Sequence, residues 1–411
     1  MFNKVWHDIW IAMFVLLIIV GIVSGQGLVI GLGAMGLIVA GVSWVWNRLS
    51  LEEVHYERKI EQPRVFIDED THMTISVLNR KPLPLGKLSV VDEIPDEVEV
   101  ADARMAASSS PNAKIIMHNT SLAWYERIRW EYKIKGNRRG YFKIGPARME
   151  SGDLFGFFES HKPVERNDYI LVYPKVAPLP DLGIPAVRPL GETRGGIRIF
   201  QDESRPSGLR EYEVGDPLKI VDWKATARMQ SLQVRTFEPS SAFTVILVVL
   251  VETSERTWEG YSPINLERVI TSAASVASYA TEQQYSVGLF SNGTPILADR
   301  PMRLNPSSNP EQLTIILEAL ATIRPLAIGP MAPQLEQNSR RFPLGSTLVV
   351  IAAILTQDMM SVIADLRAKG HRMVVIFVGD ADPPDMPEGV LLHDLRRHFE
   401  NLELASEFGP R

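Results

Sequence analysis

Residues 244–258, TVILVVLVETSERTW, decide how the second half of this chain is read. The first eight form a nearly unbroken β-branched run, the pattern of a strand buried on both faces of a parallel sheet. The run then breaks into the polar loop Glu252-Thr253-Ser254-Glu255-Arg256. Beyond it the spacing predicts a helix from about Asn265 to Gln283, a strand at Ser286–Phe290 and a helix at Glu311–Ile323. A strand at Thr347–Ile354, a helix at Met359–Lys369, a strand at Met373–Val378 and a terminal amphipathic helix at Leu391–Leu402 complete the pattern. Regular alternation of this kind predicts a doubly wound α/β domain over 242–411. Ligands of such sheets bind outside the carboxyl ends of the strands, where the strand order reverses. The loop at Glu252 falls at that end of the domain's first strand.

The order of strand, acidic-x-Ser loop and helix resembles the von Willebrand factor type A fold. That resemblance implies a metal site built from Asp-x-Ser-x-Ser with a threonine and a further aspartate from other loops, and hard oxygen ligands of this kind suit Mg²⁺. Here the matching positions are Glu252, Ser254 and Arg256, with Asp358 as the candidate for the later aspartate. Glutamate is one methylene too long for a site that tolerates little misfit. Arginine places a fixed positive charge where a hydroxyl ligand should be. The expectation is a degenerate metal site, with Glu252, Ser254 and Asp358 as its remaining candidates and no cofactor.

The 411-residue chain contains no cysteine, so neither disulfides nor thiolate metal sites can support its domains. Its net charge of −6 lacks the basic excess of a nucleic-acid binder. Between residues 51 and 175 the apolar period is two: Met73, Ile75 and Val77 alternate with Thr74 and Ser76. Ile128, Trp130, Tyr132 and Ile134 do so with Arg129, Glu131 and Lys133. This predicts an all-β, sandwich-like domain with one buried and one wet face. Residues 176–241 read as a proline- and glycine-rich linker followed by a compact charged segment.

No charged residue occurs between Ile9 and Trp46. A spanning helix needs about 20 apolar residues, so residues 1–50 predict two transmembrane helices, near Val5–Val23 and Leu28–Trp46, joined at Ser24-Gly25-Gln26-Gly27. Trp6, Trp10, Trp44 and Trp46 take interfacial positions. Lys4 on one flank and Arg48, Arg58 and Lys59 on the other place both ends and the soluble domains in the cytoplasm, making a multi-pass inner-membrane protein. Gly31, Gly33 and Gly36 match the GxGxxG spacing, but within an uncharged membrane-length run rather than a βαβ unit. Glycines there let helices approach, and the small-xxx-small pairs Gly21/Gly25 and Gly27/Gly31 are the expected contacts.

Residues 205–239, RPSGLREYEVGDPLKIVDWKATARMQSLQVRTFEP, interleave charges of both signs around Tyr212 and Trp223. Their density suggests a seam between domains or a partner surface rather than an ordinary loop. Arg210, Tyr212, Gly215, Asp216, Trp223, Lys224, Ala227 and Arg228 carry a pattern that resembles the bacterial family called domain of unknown function 58. Residues 138–158, RRGYFKIGPARMESGDLFGFF, and 171–176, LVYPKV, extend the resemblance over most of the chain. It implies a membrane-anchored protein with a type A-like domain, often encoded beside a MoxR-type AAA+ ATPase, and a chaperone-like or cell-envelope role as that ATPase's partner.

His-Glu-x-x-His, Gly-x-Ser-x-Gly and phosphate-loop motifs do not occur in the sequence. The expectation is therefore a scaffold or adaptor rather than an enzyme, its α/β domain binding a protein partner through the loops around Glu252 and Asp358. The competing reading is a metal- or carboxylate-dependent hydrolase at the inner membrane face, built from Asp216, Asp222 and Tyr212.

Overall fold

A computed structural model describes residues 2–153, 155–185, 189–191, 201–212, 221–239, 243–254, 260–296 and 300–399. The chain divides into two compact units, Met1–Lys175 and Val176–Arg411.

The first unit begins with α1 (Phe2–Ser24) and α2 (Gly27–Ser50). α2 is long and apolar enough to cross a membrane, and most of its surface is exposed. The two helices pack together at Gly21, Gly33 and Gly36. A Cβ on Gly33 would come within 2.6 Å of Ile18, and one on Gly21 within 2.8 Å of Ile30. The expected pairs are corrected here, because Gly25, Gly27 and Gly31 face open space. Two glycines of the GxGxxG look-alike thus serve close helix packing in the middle of a continuous helix.

Strands follow as β1 (Val54–Ile60), β2 (Arg64–Phe66), β3 (Asp70–Asn79), β4 (Leu85–Pro95), β5 (Val98–Val100) and β6 (Met105–Ala107). Then come β7 (Ala113–Leu122), β8 (Arg127–Gly136), β9 (Gly140–Ile144), β10 (Ala147–Gly152), β11 (Glu159–Val164) and β12 (Asp168–Tyr173). They form three sheets, β1-β3-β8-β5, β11-β10-β4-β7-β6 and β2-β12-β9. The period of two places Met73, Ile75 and Val77 in the core, each fully buried, and pairs Ile75 with Trp130 across β3 and β8.

Arg58 is entirely buried rather than a flanking surface charge. Its guanidinium donates to Asp92, Asp168 and the carbonyls of Ile144 and Arg166. Tyr56 donates its hydroxyl proton to Asp92 from the same strand.

In the second unit, β13 (Gln201–Glu211) and β14 (Gln233–Pro239) form a hairpin around α3 (Trp223–Met229). The α/β part comprises β15 (Thr244–Val249), α4 (Pro263–Glu282), β16 (Ser286–Ser291), β17 (Gly293–Pro295), β18 (Met302–Ser307), α5 (Gln312–Thr322) and β19 (Ile323–Ala327). It continues with α6 (Met331–Asn338), β20 (Thr347–Ala352), α7 (Gln357–Ala368), β21 (Arg372–Phe377) and β22 (Leu391–Asp394). Its main sheet has the order β18-β16-β15-β20-β21-β22, with β18 antiparallel at one edge and the other neighbours parallel. Ile246, Val248 and Leu250 pack with α6 and α7 residues on one face, while α4 lies against β15 on the other. This burial on both faces is what the β-branched run required. α4 starts where Ser262 accepts the Asn265 N–H and Pro263 occupies the first turn.

One expectation is overturned at the far edge. Leu391–Asp394 pairs in parallel with β21 instead of opening a helix, and helical residues begin only at Arg396. Four apolar and polar residues in succession fit either period, and the unpaired edge of β21 selects the strand.

Candidate functional site

The chain leaves β15 for β16 and β18 on one side, then returns to build β20, β21 and β22 on the other. The order therefore reverses between β15 and β20, and the loop at Glu252 lies at the carboxyl edge of that reversal. Sheet pairing extends one residue beyond β15, where Leu250 donates its N–H to Ile351 O at 3.0 Å.

Asn292, fully buried just after β16, organises the next residues. Its Oδ1 accepts the Val251 N–H at 3.2 Å, and its Nδ2 donates to Gly329 O at 3.3 Å. The Glu252 carboxyl accepts hydrogen bonds from the Asn292 side chain and from the N–H of Met331, the first residue of α6. Burial nevertheless pushes its pKa above the ordinary carboxylate value.

The hydroxyls that follow are engaged within the loop. Thr253 Oγ1 accepts the Ser262 N–H at 2.8 Å, and Ser254 Oγ donates to Gly260 O at 2.7 Å. Both bonds close the segment that leads into α4. Asp358 stands exposed in the first turn of α7, several residues past the end of β20. Among the described residues no three His, Cys, Asp or Glu side chains gather closely enough to hold an ion. Neither Glu252 nor Asp358 belongs to such a group, and Ser254 Oγ is committed to Gly260 O. Arg256 lies outside the described residues.

Sequence reasoning passed over Asn292, Arg268 and Asp380. Arg268, on α4 and almost fully buried, donates to Asp380 Oδ1 at 3.0 Å, and Asn265 Nδ2 donates to Asp380 Oδ2 at 2.9 Å. The Arg268 guanidinium also lies over the Phe399 ring, 5.9 Å from its centroid. The first turns of α4 are thereby tied to the loop after β21. Asp380, Asp382, Asp385 and Glu388 in that loop are exposed, and between them there is no lysine or arginine. Periodicity could not have located these residues, because each acts through a partner about a hundred positions away or does so from a loop.

The charged segment divides differently. Asp222 caps α3 by accepting the N–H groups of Lys224 and Ala225, each at 3.0 Å, and it pairs with Arg235 at 2.9 Å. The Ala225 N–H and the Arg235 guanidinium hold its carboxyl below the usual range. Arg210 and Tyr212 are half-buried at the end of β13, where Arg210 donates to Glu211 O and the Tyr212 N–H reaches Leu232 O. Trp223, Lys224 and Arg228 are exposed on α3, the indole at 65%. Gly215 and Asp216 lie outside the described residues, so the Asp216-Asp222-Tyr212 constellation is not assembled among those described.

Residues 208–397 match the family model described as "Protein of unknown function DUF58", which supports the resemblance read from the signature segment. The uncharacterized protein YeaD of Bacillus subtilis (strain 168) is 23% identical over 336 residues, covering 81% of this chain and 77% of that protein. Among solved structures, the CARDB domain of a Pyrococcus furiosus protein is similar over 29% of this chain and 91% of its own, with 12% identity and a TM-score of 0.20. A non-cellulosomal cohesin from Archaeoglobus fulgidus is similar over 28% of this chain and 90% of its own, with 10% identity and a TM-score of 0.19.

Proposed function

We propose that this protein is a membrane-anchored scaffold whose α/β domain is von Willebrand type A-like and docks a protein partner at the carboxyl edge of its sheet. The observation that carries the reading is the commitment of the loop oxygens. The Glu252 carboxyl and the Thr253 and Ser254 hydroxyls, which a type A cation site would use, are engaged in bonds that shape the loop. An edge whose described loop oxygens are committed to internal bonds suits contact with a protein more than capture of Mg²⁺. The strand order, with its antiparallel edge strand, supports the type A-like assignment.

Asp380 and Asp382 are paired with Arg268 and Arg396, and the exposed Asp385 and Glu388 of the same loop favour a basic partner surface. Trp223, flanked by Lys224 and Arg228, supplies a second exposed contact of the kind that anchors interfaces. The family resemblance implies a MoxR-type AAA+ ATPase as the partner. In this reading α1 and α2 form the membrane hairpin, and the remaining flanking charges, Lys4, Arg48 and Lys59, favour a cytoplasmic side for the soluble units. In this reading the protein holds an ATPase at the membrane and catalyses no reaction itself.

The test uses the full-length chain in lipid nanodiscs and a purified MoxR-type ATPase from the same cells, with affinity read by interferometry. Binding that weakens at least tenfold in both Glu252→Lys and Trp223→Ala is expected. Absence of binding by the unaltered chain, or binding indifferent to both substitutions, overturns the proposal.

A further inference from the structure

Three loops of the β-rich unit gather around the C-terminal end of α2. Lys81, in the β3–β4 loop, donates its ammonium to Ser50 O at 2.6 Å and Glu52 O at 2.7 Å, satisfying carbonyls that the end of a helix leaves unpaired. The β7–β8 loop joins it, since Asn79 Nδ2 donates to both Leu83 O and Ala123 O at 2.9 Å, and the Tyr125 N–H reaches Lys81 O. From β11, Ser160 Oγ donates to Asn47 O at 3.2 Å and Lys162 Nζ to Leu51 O at 3.2 Å. The end of α2 is thus fastened to this rim of the unit.

The rim carries large side chains in the open. Trp124 is 67% exposed, Tyr125 65% and Phe155 61%. Single exposed apolar residues are ordinary, but a cluster of them marks a contact surface. Here the neighbouring element identifies the contact. Phe155 stacks on Phe157 at 6.0 Å, and Phe157 in turn meets Phe14 of α1 edge-on at 6.5 Å. Phe14 is the residue that a Cβ on Gly36 would strike. Gly36 precedes Trp46 by ten residues, roughly 15 Å of helix. The β10–β11 loop therefore reaches along the apolar part of the helix pair and is not confined to its polar end. On α2 itself, an apolar groove of about 560 Å³ runs past Ile38, Val42, Val45 and Trp46 to Leu83 of the β3–β4 loop.

A loop can enter hydrocarbon only if its backbone polar groups find partners within the protein. Several groups of this loop meet that requirement. Asp153, itself nearly buried, accepts the Phe155 N–H at 3.0 Å and the Phe158 N–H at 2.7 Å, and its own N–H donates to Phe158 O at 3.2 Å. Gly156, at φ +76°, turns the chain between the phenylalanines.

We propose that the β-rich unit touches the lipid bilayer directly: the Asp153–Phe158 loop inserts Phe155 and Phe157 into the acyl region of one leaflet beside α1, while Trp124 and Tyr125 lie at headgroup level. Indole and phenol rings prefer that level because one end is apolar and the other forms hydrogen bonds. The assignment rests on the reading of α2 as a membrane span. It adds a third membrane-contacting element and fixes how the unit stands on the bilayer.

The chain lacks cysteine, so single substitutions carry a spin label without background. Met35→Cys on α2, Phe155→Cys, Trp124→Cys and Lys114→Cys on β7 are made in the full-length protein and reconstituted into phosphatidylcholine–phosphatidylglycerol vesicles. Collision with oxygen, which concentrates in lipid, is compared with collision with a water-soluble nickel chelate. All four positions are exposed, so each accommodates a label, which at 155 replaces only the ring that stacks on Phe157. Positions 35 and 155 are expected to favour oxygen at least fivefold over position 114, with 124 between them. Nickel access at 155 equal to that at 114, with 35 still shielded, overturns the loop insertion and leaves the span standing. Nickel access at both 35 and 155 overturns the span and the insertion together.

Discussion

Arg58 of β1 and Asp92 of β4, both closed off from solvent, meet at 2.5 Å inside the β-rich unit. The guanidinium also reaches Asp168 at 2.9 Å and Ile144 O at 2.8 Å, so every part of its fork has an acceptor. The guanidinium thereby joins strands that belong to three different sheets.

Removing one partner from such a pair strands the other. Arg58→Met is expected to lower the unfolding free energy by about 3–5 kcal/mol, because Asp92 is left buried without its cation. Adding Asp92→Leu should restore much of the loss. Urea denaturation of the two variants decides it, and equal instability in both would trace the cost to lost packing instead.

At the carboxyl edge of the α/β sheet, Asn292 and Glu252 should respond very unequally to neutral substitution. Asn292→Leu strands the Val251 N–H and the Gly329 carbonyl and should cost about 2–3 kcal/mol. Glu252→Gln keeps an acceptor for the Met331 N–H while removing a charge that burial already disfavours. It should change stability by no more than about 0.5 kcal/mol. Thermal unfolding of the two variants distinguishes them, and an equal loss would mean that the charge of Glu252 shapes the loop.

His118, His371 and His393 are all held neutral by burial, with pKa values below the ordinary 6.5. The unfolded chain therefore binds more protons than the folded one between each depressed value and 6.5. Stability from these groups is complete above about pH 6.5 and drains away as the pH falls through that window. His371, which shares a hydrogen bond with Ser346 Oγ at 3.1 Å, gives the cleanest test. The unfolding temperature measured from pH 7.5 to 5 should fall less steeply in His371→Gln than in the unaltered chain, and parallel curves would count against the assignment.

In the helix pair, the position of each glycine should matter more than the number of glycines. Gly36→Leu would drive a side chain into the Phe14 ring, whereas Gly31→Leu points into open space. The first should lower the thermal midpoint in detergent by several degrees and the second should leave it nearly unchanged. Equal effects would show that α1 and α2 do not pack at Gly36.

Much of the architecture was readable along the chain because its causes are local. Alternation at Met73, Ile75 and Val77 requires one buried face whatever the strand pairs with, and the run Thr244–Val251 requires burial on both. The loop at Glu252 was legible as a candidate site because a strand that ends in polar residues marks the carboxyl edge. The identities of its partners were not, since Asn292 is one asparagine among several and Asp380 one acid in an exposed loop until folding brings them beside β15 and α4.

Order along the chain sets where apolar faces lie and therefore which segments become strands, helices or membrane-length runs, for those choices depend on neighbours one to four residues away. Folding in three dimensions decides the rest. It makes Leu391–Asp394 a strand because β21 offers an unpaired edge, selects Gly33 and Gly36 over Gly27 and Gly31 because only they face α1, and buries Arg58 because Asp92 and Asp168 converge on it. Each of these outcomes depends on contacts between residues far apart in the chain or on which face of a helix meets its neighbour, and no local pattern encodes that.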